Sequence, residues 1–268
     1  GKSLVDKIYY EDFIPLVYLK LRLWGNKDRE LSAIKYVLID EAQDYSLLHY
    51  EIFKLLFPQR YFTVLGDINQ SIHPYQGIKE YKGIKDIFES KESIMIELEK
   101  SYRSTPQIMG FAAELLPYEQ KISIINRPGI LPEVIMTVEE NKYKLIRKTI
   151  SDLEDKGAES IALVGKTAAS CQKLYSELAL PDLRLLSGDD DKYTGGKVIL
   201  PSYLVKGLEF DAVILIIDQD NSYNDDERYL FYTLCTRALN YLKIFNCGHI
   251  SPLISQIDKS KYVCKYFI

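Results

Sequence analysis

The stretch YVLIDEAQDY, residues 36–45, decides how this chain is read. Four apolar or aromatic residues run straight into Asp40 and Glu41, and Asp44 follows. A run that apolar suits a strand covered on both faces, as in a parallel sheet. Carboxylates at the carboxyl end of such a strand stand where open α/β sheets bind ligands. Magnesium takes few protein carboxylates and leaves its other positions to water and phosphate, so one strand-end Asp can hold it. A neighbouring Glu would then polarise an attacking water.

Working outward, short apolar runs recur at YFTVLG (61–66), SIMIELE (93–99), EVIMTV (133–138), SIALVG (160–165), KVILPS (197–202), DAVILIID (211–218) and LKIFN (242–246). Between them SLLHYEIFKLLF (46–57), NKYKLIRKTISDLEDKG (141–157), ASCQKLYSELA (169–179) and DDERYLFYTLCTRA (225–238) carry helical periodicity. Strands alternating with helices predict an α/β fold with a mostly parallel sheet flanked by helices. Pro and Gly gather in YRSTPQIMG (102–110) and NRPGILP (126–132), which places a domain junction near 103–107. Residues 1–104 then hold about three strands and residues 105–268 about five. Three strands make a thin sheet, so the first piece reads as part of a larger domain.

The bulk numbers exclude several classes. With 268 residues, 47% hydrophobic and 27% charged, the chain has an ordinary globular composition. No run approaches the ~20 apolar residues of a membrane helix. Four widely spaced cysteines form no C-x-x-C pair, which favours reduced cytoplasmic thiols over disulfides or zinc. A net charge of −4 argues against a general polyanion binder while leaving a narrow basic groove open.

Five segments, in order, resemble the motifs of the UvrD/Rep/PcrA-type superfamily 1 helicases. LIDEAQD (38–44) is similar to motif II, TVLGDINQSIHPYQG (63–77) to motif III and LEKSYRS (98–104) to motif IV. VKGLEFDAVI (205–214) resembles motif V and ERYLFYTLCTRA (227–238) motif VI. LPSYLVKGLEFDAVI (200–214) looks most like the HelD branch, whose members associate with RNA polymerase. The resemblance implies a RecA-like P-loop NTPase fold: the tail of a first RecA-like domain over 1–104 and a complete second one over 105–268. It implies ATP and Mg2+ as cofactors and single-stranded or partly duplex DNA as partner, with RNA polymerase as the alternative partner.

Residue by residue, the resemblance makes Asp40 the magnesium holder, Glu41 the general base and Gln70 the sensor of the γ-phosphate or attacking water. Arg103 and Arg237 would place guanidinium forks on the γ-phosphate, where a permanently charged planar donor suits the spread charge of phosphoryl transfer. Tyr102 would stack on adenine, and Glu209 beside Gly207 would reach the ribose. Tyr75 would stack on a single-strand base, worth about 1–3 kcal/mol, and Ser71 and Lys206 would meet backbone phosphates.

The chain also departs from the pattern. No G-x-x-x-x-G-K-[ST] occurs in its 268 residues, and GKS at 1–3 lacks the earlier glycine and the strand such a loop needs. Pro201 and Tyr203 stand where motif V usually has Thr and His, and His73 and Gln76 where motif III has Tyr and Arg. Roughly thirty residues separate the 160–165 strand from motif V, too few for the family's accessory domain. The acidic loop SGDDDKYTGG (187–196) reads as solvated. The expectation is a C-terminal portion of an ATP-driven motor that is inactive on its own. An ATP-responsive lever on RNA polymerase is the alternative, and a non-catalytic scaffold a lesser one.

Overall fold

The structure, a computed structural model, describes residues 8–28, 30–71, 77–78, 80–88, 93–98, 100–101, 103–117, 123–124, 129–188, 193–219 and 222–267. Tyr75, Tyr102, His73, Gln76, the GKS at 1–3 and the Asp run 189–191 lie outside them. Contacts divide the chain into two units, Gly1–Glu97 and Leu98–Ile268. The motif reading draws its line at 104. The division falls earlier because β3 (Lys100–Ser101) pairs with β4 (Ser123–Ile124), which ties the approach to Arg103 to the second unit.

In the first unit, α1 (Tyr10–Trp24) ends at Gly25, whose φ of +68° suits glycine. It packs on α2 (Leu47–Leu56). Ser46 starts α2 through a reciprocal cap in which its backbone N–H donates to His49 Nδ1 at 3.1 Å. Burial holds the His49 imidazole below its ordinary pKa, which suits that acceptor role. Strands β1 (Tyr36–Ile39) and β2 (Tyr61–Val64) pair in parallel with Ile39 opposite Val64. With α3 (Lys82–Phe88) they enclose a small core of Ile39, Ala42, Tyr50, Ile78 and Ile84. Tyr36, Leu38 and Tyr61 are exposed, and Tyr36 stacks on Tyr61 at 5.3 Å. The strand expected over 93–99 is a correction. Residues 93–98 carry no regular element, and Ile94, Ile96 and Leu98 are exposed. Apolar content does not make a strand where no neighbour accepts its hydrogen bonds.

The second unit opens with β3, then α4 (Pro106–Ala113), which begins with Thr105 as cap and Pro106 in the first turn, and β4. Then follow β5 (Glu133–Thr137), α5 (Glu139–Glu154), β6 (Ser160–Gly165), α6 (Ala168–Leu178), β7 (Leu183–Leu185) and β8 (Gly196–Pro201). They continue with β9 (Phe210–Ile217), α7 (Arg228–Thr236), β10 (Ala238–Cys247), α8 (Pro252–Ser255) and β11 (Val263–Phe267). Seven of these strands form one sheet in the order β11-β5-β10-β9-β6-β8-β7, with every pairing parallel. Successive side chains of β9 point to opposite faces, and both faces are buried. Val213 and Leu215 join the core under α4 and α7, while Ile214 and Ile216 join the core under α5 and α6. That two-sided burial explains the uninterrupted apolar run from 212 to 217.

The expected α/β class with a mostly parallel sheet is therefore present. The sheet exceeds the expected five strands because β7 and β11 join its two edges. Among the described residues no helix is long and apolar enough to cross a membrane. All four cysteines are free thiols.

Candidate functional site

In the first unit, the carboxyl ends of two neighbouring parallel strands deliver the acidic residues. Leu65 N–H donates to Ile39 O at 2.8 Å and Ala42 N–H to Leu65 O at 2.8 Å, so the chain beyond β1 stays laced to the chain beyond β2. Between these bonds Glu41 adopts a left-handed conformation with φ +51°. That conformation costs a non-glycine residue about 1–2 kcal/mol. Two bonds offset the cost. Asp40 Oδ1 accepts from Glu41 N–H at 2.8 Å, and Gln43 Nε2 donates to Glu41 Oε2 at 2.6 Å.

Gln43 is wholly buried and spends its other end on the second strand, where its Oε1 accepts from Asp67 N–H at 2.9 Å. Asp67 in turn accepts from Asn69 N–H at 3.0 Å and from Gln70 Nε2 at 2.8 Å. A continuous chain thus runs Glu41–Gln43–Asp67–Gln70. Two glycines make room for it. A Cβ on Gly66 would lie 2.7 Å from Gln43 Oε1, and one on Gly77 would lie 2.1 Å from Gln43 O. Ser71 follows directly and is half-buried. Tyr50 Oη donates to Ala42 O at 2.7 Å and anchors the turn from below. The Tyr81 hydroxyl is buried with no hydrogen-bond partner among the described residues. Burial, then the carboxylates of Asp67 and Glu41, push its pKa up to about 12.

These donors suit a hard, phosphate-bound cation. Asp40 is exposed, and its Oδ2 takes part in no hydrogen bond among the described residues. Oxygen ligands of this kind, few in number, are what magnesium uses when water and phosphate complete its shell. One trio of closely spaced ligand atoms exists among the described residues, Glu139, Asp218 and Cys247 in the second unit. It is already neutralised by Lys142, whose Nζ lies 2.7 Å from Glu139 and 2.8 Å from Asp218.

In the second unit, motifs IV, V and VI converge. Arg103 Nε lies 2.6 Å from Glu209 Oε1. Ser104, the next residue, is buried and donates from Oγ to Thr236 O at 3.1 Å. Thr236 precedes Arg237, whose carbonyl accepts from Phe210 N–H at 3.1 Å. Glu209 and Arg237 therefore stand at the amino ends of the adjacent strands β9 and β10. This is the opposite sheet end from the one that carries Asp40 and Glu41 in the first unit. Gly207, with φ +76°, turns the chain into β9, and half-buried Lys206 precedes it. Arg237 is only 2% exposed, and its Nε donates to Thr233 O at 3.4 Å.

The structure thus brings Asp40, Glu41 and Gln70 together in one unit, and Arg103, Glu209 and Arg237 together in the other. Sequence reasoning passed over Gln43, Asp67, Ser104 and Thr236, which join them. Gln43 and Asp67 were in view inside EAQD and LGD, yet only tertiary contacts reveal a buried amide's two partners. Replacing Gln43 with leucine is expected to destabilise the first unit by about 2 kcal/mol, because the Asp67 N–H loses its partner and Glu41 its orienting donor. Urea unfolding followed through Trp24, the chain's only tryptophan, measures this; an unchanged midpoint would deny the network any structural role.

The family profile described as UvrD/REP helicase N-terminal domain matches residues 6–86. A protein of Acanthamoeba polyphaga mimivirus named as an ATP-dependent DNA helicase is 26% identical over 280 aligned residues, covering 89% of this chain and 39% of its own length. The ATP-dependent DNA helicase Rep of Salmonella typhimurium is 36% identical over 110 residues, covering 39% of this chain and 16% of its own length. The chain therefore spans well under half of these relatives. In a crystal structure, the C-terminal domain of a possible DNA helicase from Lactobacillus plantarum WCFS1 is 34% identical. It superposes with a TM-score of 0.52 over 61% of this chain and 98% of that one. The parallel sheet flanked by helices is accordingly of the RecA-like type, and the chain belongs with the superfamily 1 helicases.

Proposed function

We propose that this chain is the C-terminal part of an ATP-dependent DNA helicase or translocase, in which hydrolysis between two RecA-like domains drives motion on nucleic acid. The observation that carries this reading is the Glu41–Gln43–Asp67–Gln70 network, which ties the proposed base and the proposed phosphate-sensing amide to one buried residue. Asp40 would hold magnesium, and the bound magnesium nucleotide supplies the phosphoryl group and neutralises charge on its oxygens. Glu41 takes the proton of the attacking water, its carboxylate aimed by Gln43. Gln70, clamped by Asp67, can donate to phosphate and accept from water. Arg103 and Arg237 supply the guanidinium charge, Tyr102 and Glu209 with Gly207 would bind the nucleoside, and Ser71, Tyr75 and Lys206 would meet the DNA strand. The exposed Tyr36, Leu38 and Tyr61 support a first unit that belongs to a larger domain.

The 268-residue chain is expected to hydrolyse ATP no faster than background, since no phosphate loop is among its residues. A longer form carrying such a loop should turn over with magnesium and lose about 10²–10⁴-fold on Glu41→Gln. Steady magnesium-dependent turnover by the 268-residue chain itself, abolished by Glu41→Gln, would refute the reading. The HelD-like alternative draws on Tyr203, which is exposed where a strand-contacting His is usual. Co-purification with RNA polymerase, without single-strand DNA binding, would favour it.

A further inference from the structure

Away from these motifs, the second unit contains a cavity of about 150 Å3 between α5 and the sheet edge formed by β10, β5 and β11. Its floor is hydrocarbon: Ile135, Leu153 and Phe245, with Phe267 closing the outer side. Its rim is cationic. Lys243 rises from β10 with its side chain 5% exposed, Lys265 from β11, and Lys148 and Lys156 descend from α5 and the turn after it.

Four ammonium groups thus face two carboxylates, Glu133 and Asp152. Lys243 and Lys265 share a single oxygen, Glu133 Oε2, at 2.7 and 3.0 Å. Lys148, Asp152 and Lys156 follow at four-residue spacing, the arrangement of an ordinary surface ion-pair ladder. That bland reading fails on geometry, because among the described residues Asp152 pairs with neither lysine. The cation excess is felt inside. Burial first, and then the neighbouring Lys156 and Lys265 charges, press the Lys243 pKa below its usual value even against Glu133. A hollow with a hydrocarbon floor and convergent charges at its rim, here with ammonium groups in excess, has the composition of a small-ligand site.

We propose that this cavity binds a small anion carried on an apolar body, a carboxylate or phosphate monoester attached to one ring or a short chain. A volume near 150 Å3 accommodates about one benzene-sized group. The anionic head would sit among Lys148, Lys156 and Lys243, relieving their mutual repulsion.

The test is calorimetric titration of the purified 268-residue chain with phenyl phosphate and with 3-phenylpropionate, beside inorganic phosphate and benzyl alcohol. At least one aryl anion should bind tenfold or more tightly than both controls, and the tighter of the two identifies the head group. Replacing the exposed pair Lys148→Gln and Lys156→Gln should weaken that binding about tenfold while leaving the melting temperature unchanged. Asp152→Asn should tighten it. If neither aryl anion binds at 10 mM, or inorganic phosphate binds equally well, or the double variant binds like the parent, the proposal is overturned.

Discussion

Replacing Lys142 with methionine is expected to destabilise the second unit by about 3 kcal/mol at pH 7. The Lys142 side chain is 2% exposed and its ammonium lies between Glu139 and Asp218. Removing one partner from such a cluster leaves the others uncompensated, which costs about 3–5 kcal/mol when they are fully buried. The lower end applies because Glu139 and Asp218 are 46% and 26% exposed and can regain water. For a unit of this size the melting temperature should fall by about 6–12 °C. The pH dependence separates lost charge pairing from lost packing. Burial raises the Glu139 pKa, but the ammoniums of Lys142 and Lys173 outweigh it and hold the carboxyl below its usual value. A depressed carboxylate contributes stability above its unfolded pKa, and the contribution fades as pH falls through the folded one. Lys142 is the converse. Burial lowers it, Asp218 and Glu139 outweigh that, and its raised pKa gives stability that persists until pH climbs past the ordinary lysine value. The difference between parent and variant should therefore be widest from about pH 5 to 10 and shrink below about pH 4. A difference that stays the same from pH 7 down to below about pH 4, or one under about 2 °C at pH 7, would show that the cluster is not held by charge.

How much of this was legible beforehand depends on what buries each residue. β6, β8 and β9 announce themselves because strands covered on both faces admit little but Ile, Val, Leu and Ala. β11 escapes because it is an edge strand. VCKYF is exposed at four of its five positions and shows neither a continuous apolar run nor alternation. β7, three residues long, is too short for periodicity to register. The opposite failure is the strand expected over 93–99, where the apolar residues of 93–98 satisfy a strand pattern that no neighbour among the described residues completes. In the candidate site, charged residues in motif order were readable, since the proposed phosphoryl transfer would restrict what can stand there. Gln43 and Ser104 were not. Each holds a functional neighbour through a bond to a distant part of the chain, and no local spacing encodes that. Nor did the sequence show that Glu209, expected at the ribose, would be paired with Arg103.

That pairing leads to the prediction with the largest effect, which rests on the proposed ATPase reading. The Arg103–Glu209 contact is short, but its side chains are 52% and 35% exposed, so solvent screening limits it to about 0–1 kcal/mol. Such a bond can park a guanidinium between turnovers and release it at little cost. The arginine is pre-positioned through Ser104, whose hydrogen bond to Thr236 O fixes the backbone on which it stands. If Arg103 leaves Glu209 for the phosphoryl group, its guanidinium acts on charge that develops in the transition state, where such a group is worth about 10³-fold or more in turnover. In a longer form of the protein that supplies a phosphate loop, Arg103→Ala should therefore lower kcat about 10³-fold while moving stability by less than about 1 kcal/mol. Arg103→Lys should recover only part of the loss, because an ammonium lacks the planar fork. Glu209→Ala should behave differently, raising KM with kcat nearly intact, since contacts to ribose are equal in ground and transition states. Steady-state ATP hydrolysis with melting temperatures alongside reads all three. Were Arg103→Ala to keep kcat within tenfold while Glu209→Ala abolished it, the roles would be reversed, with Glu209 acting on the chemistry and Arg103 merely its counterion.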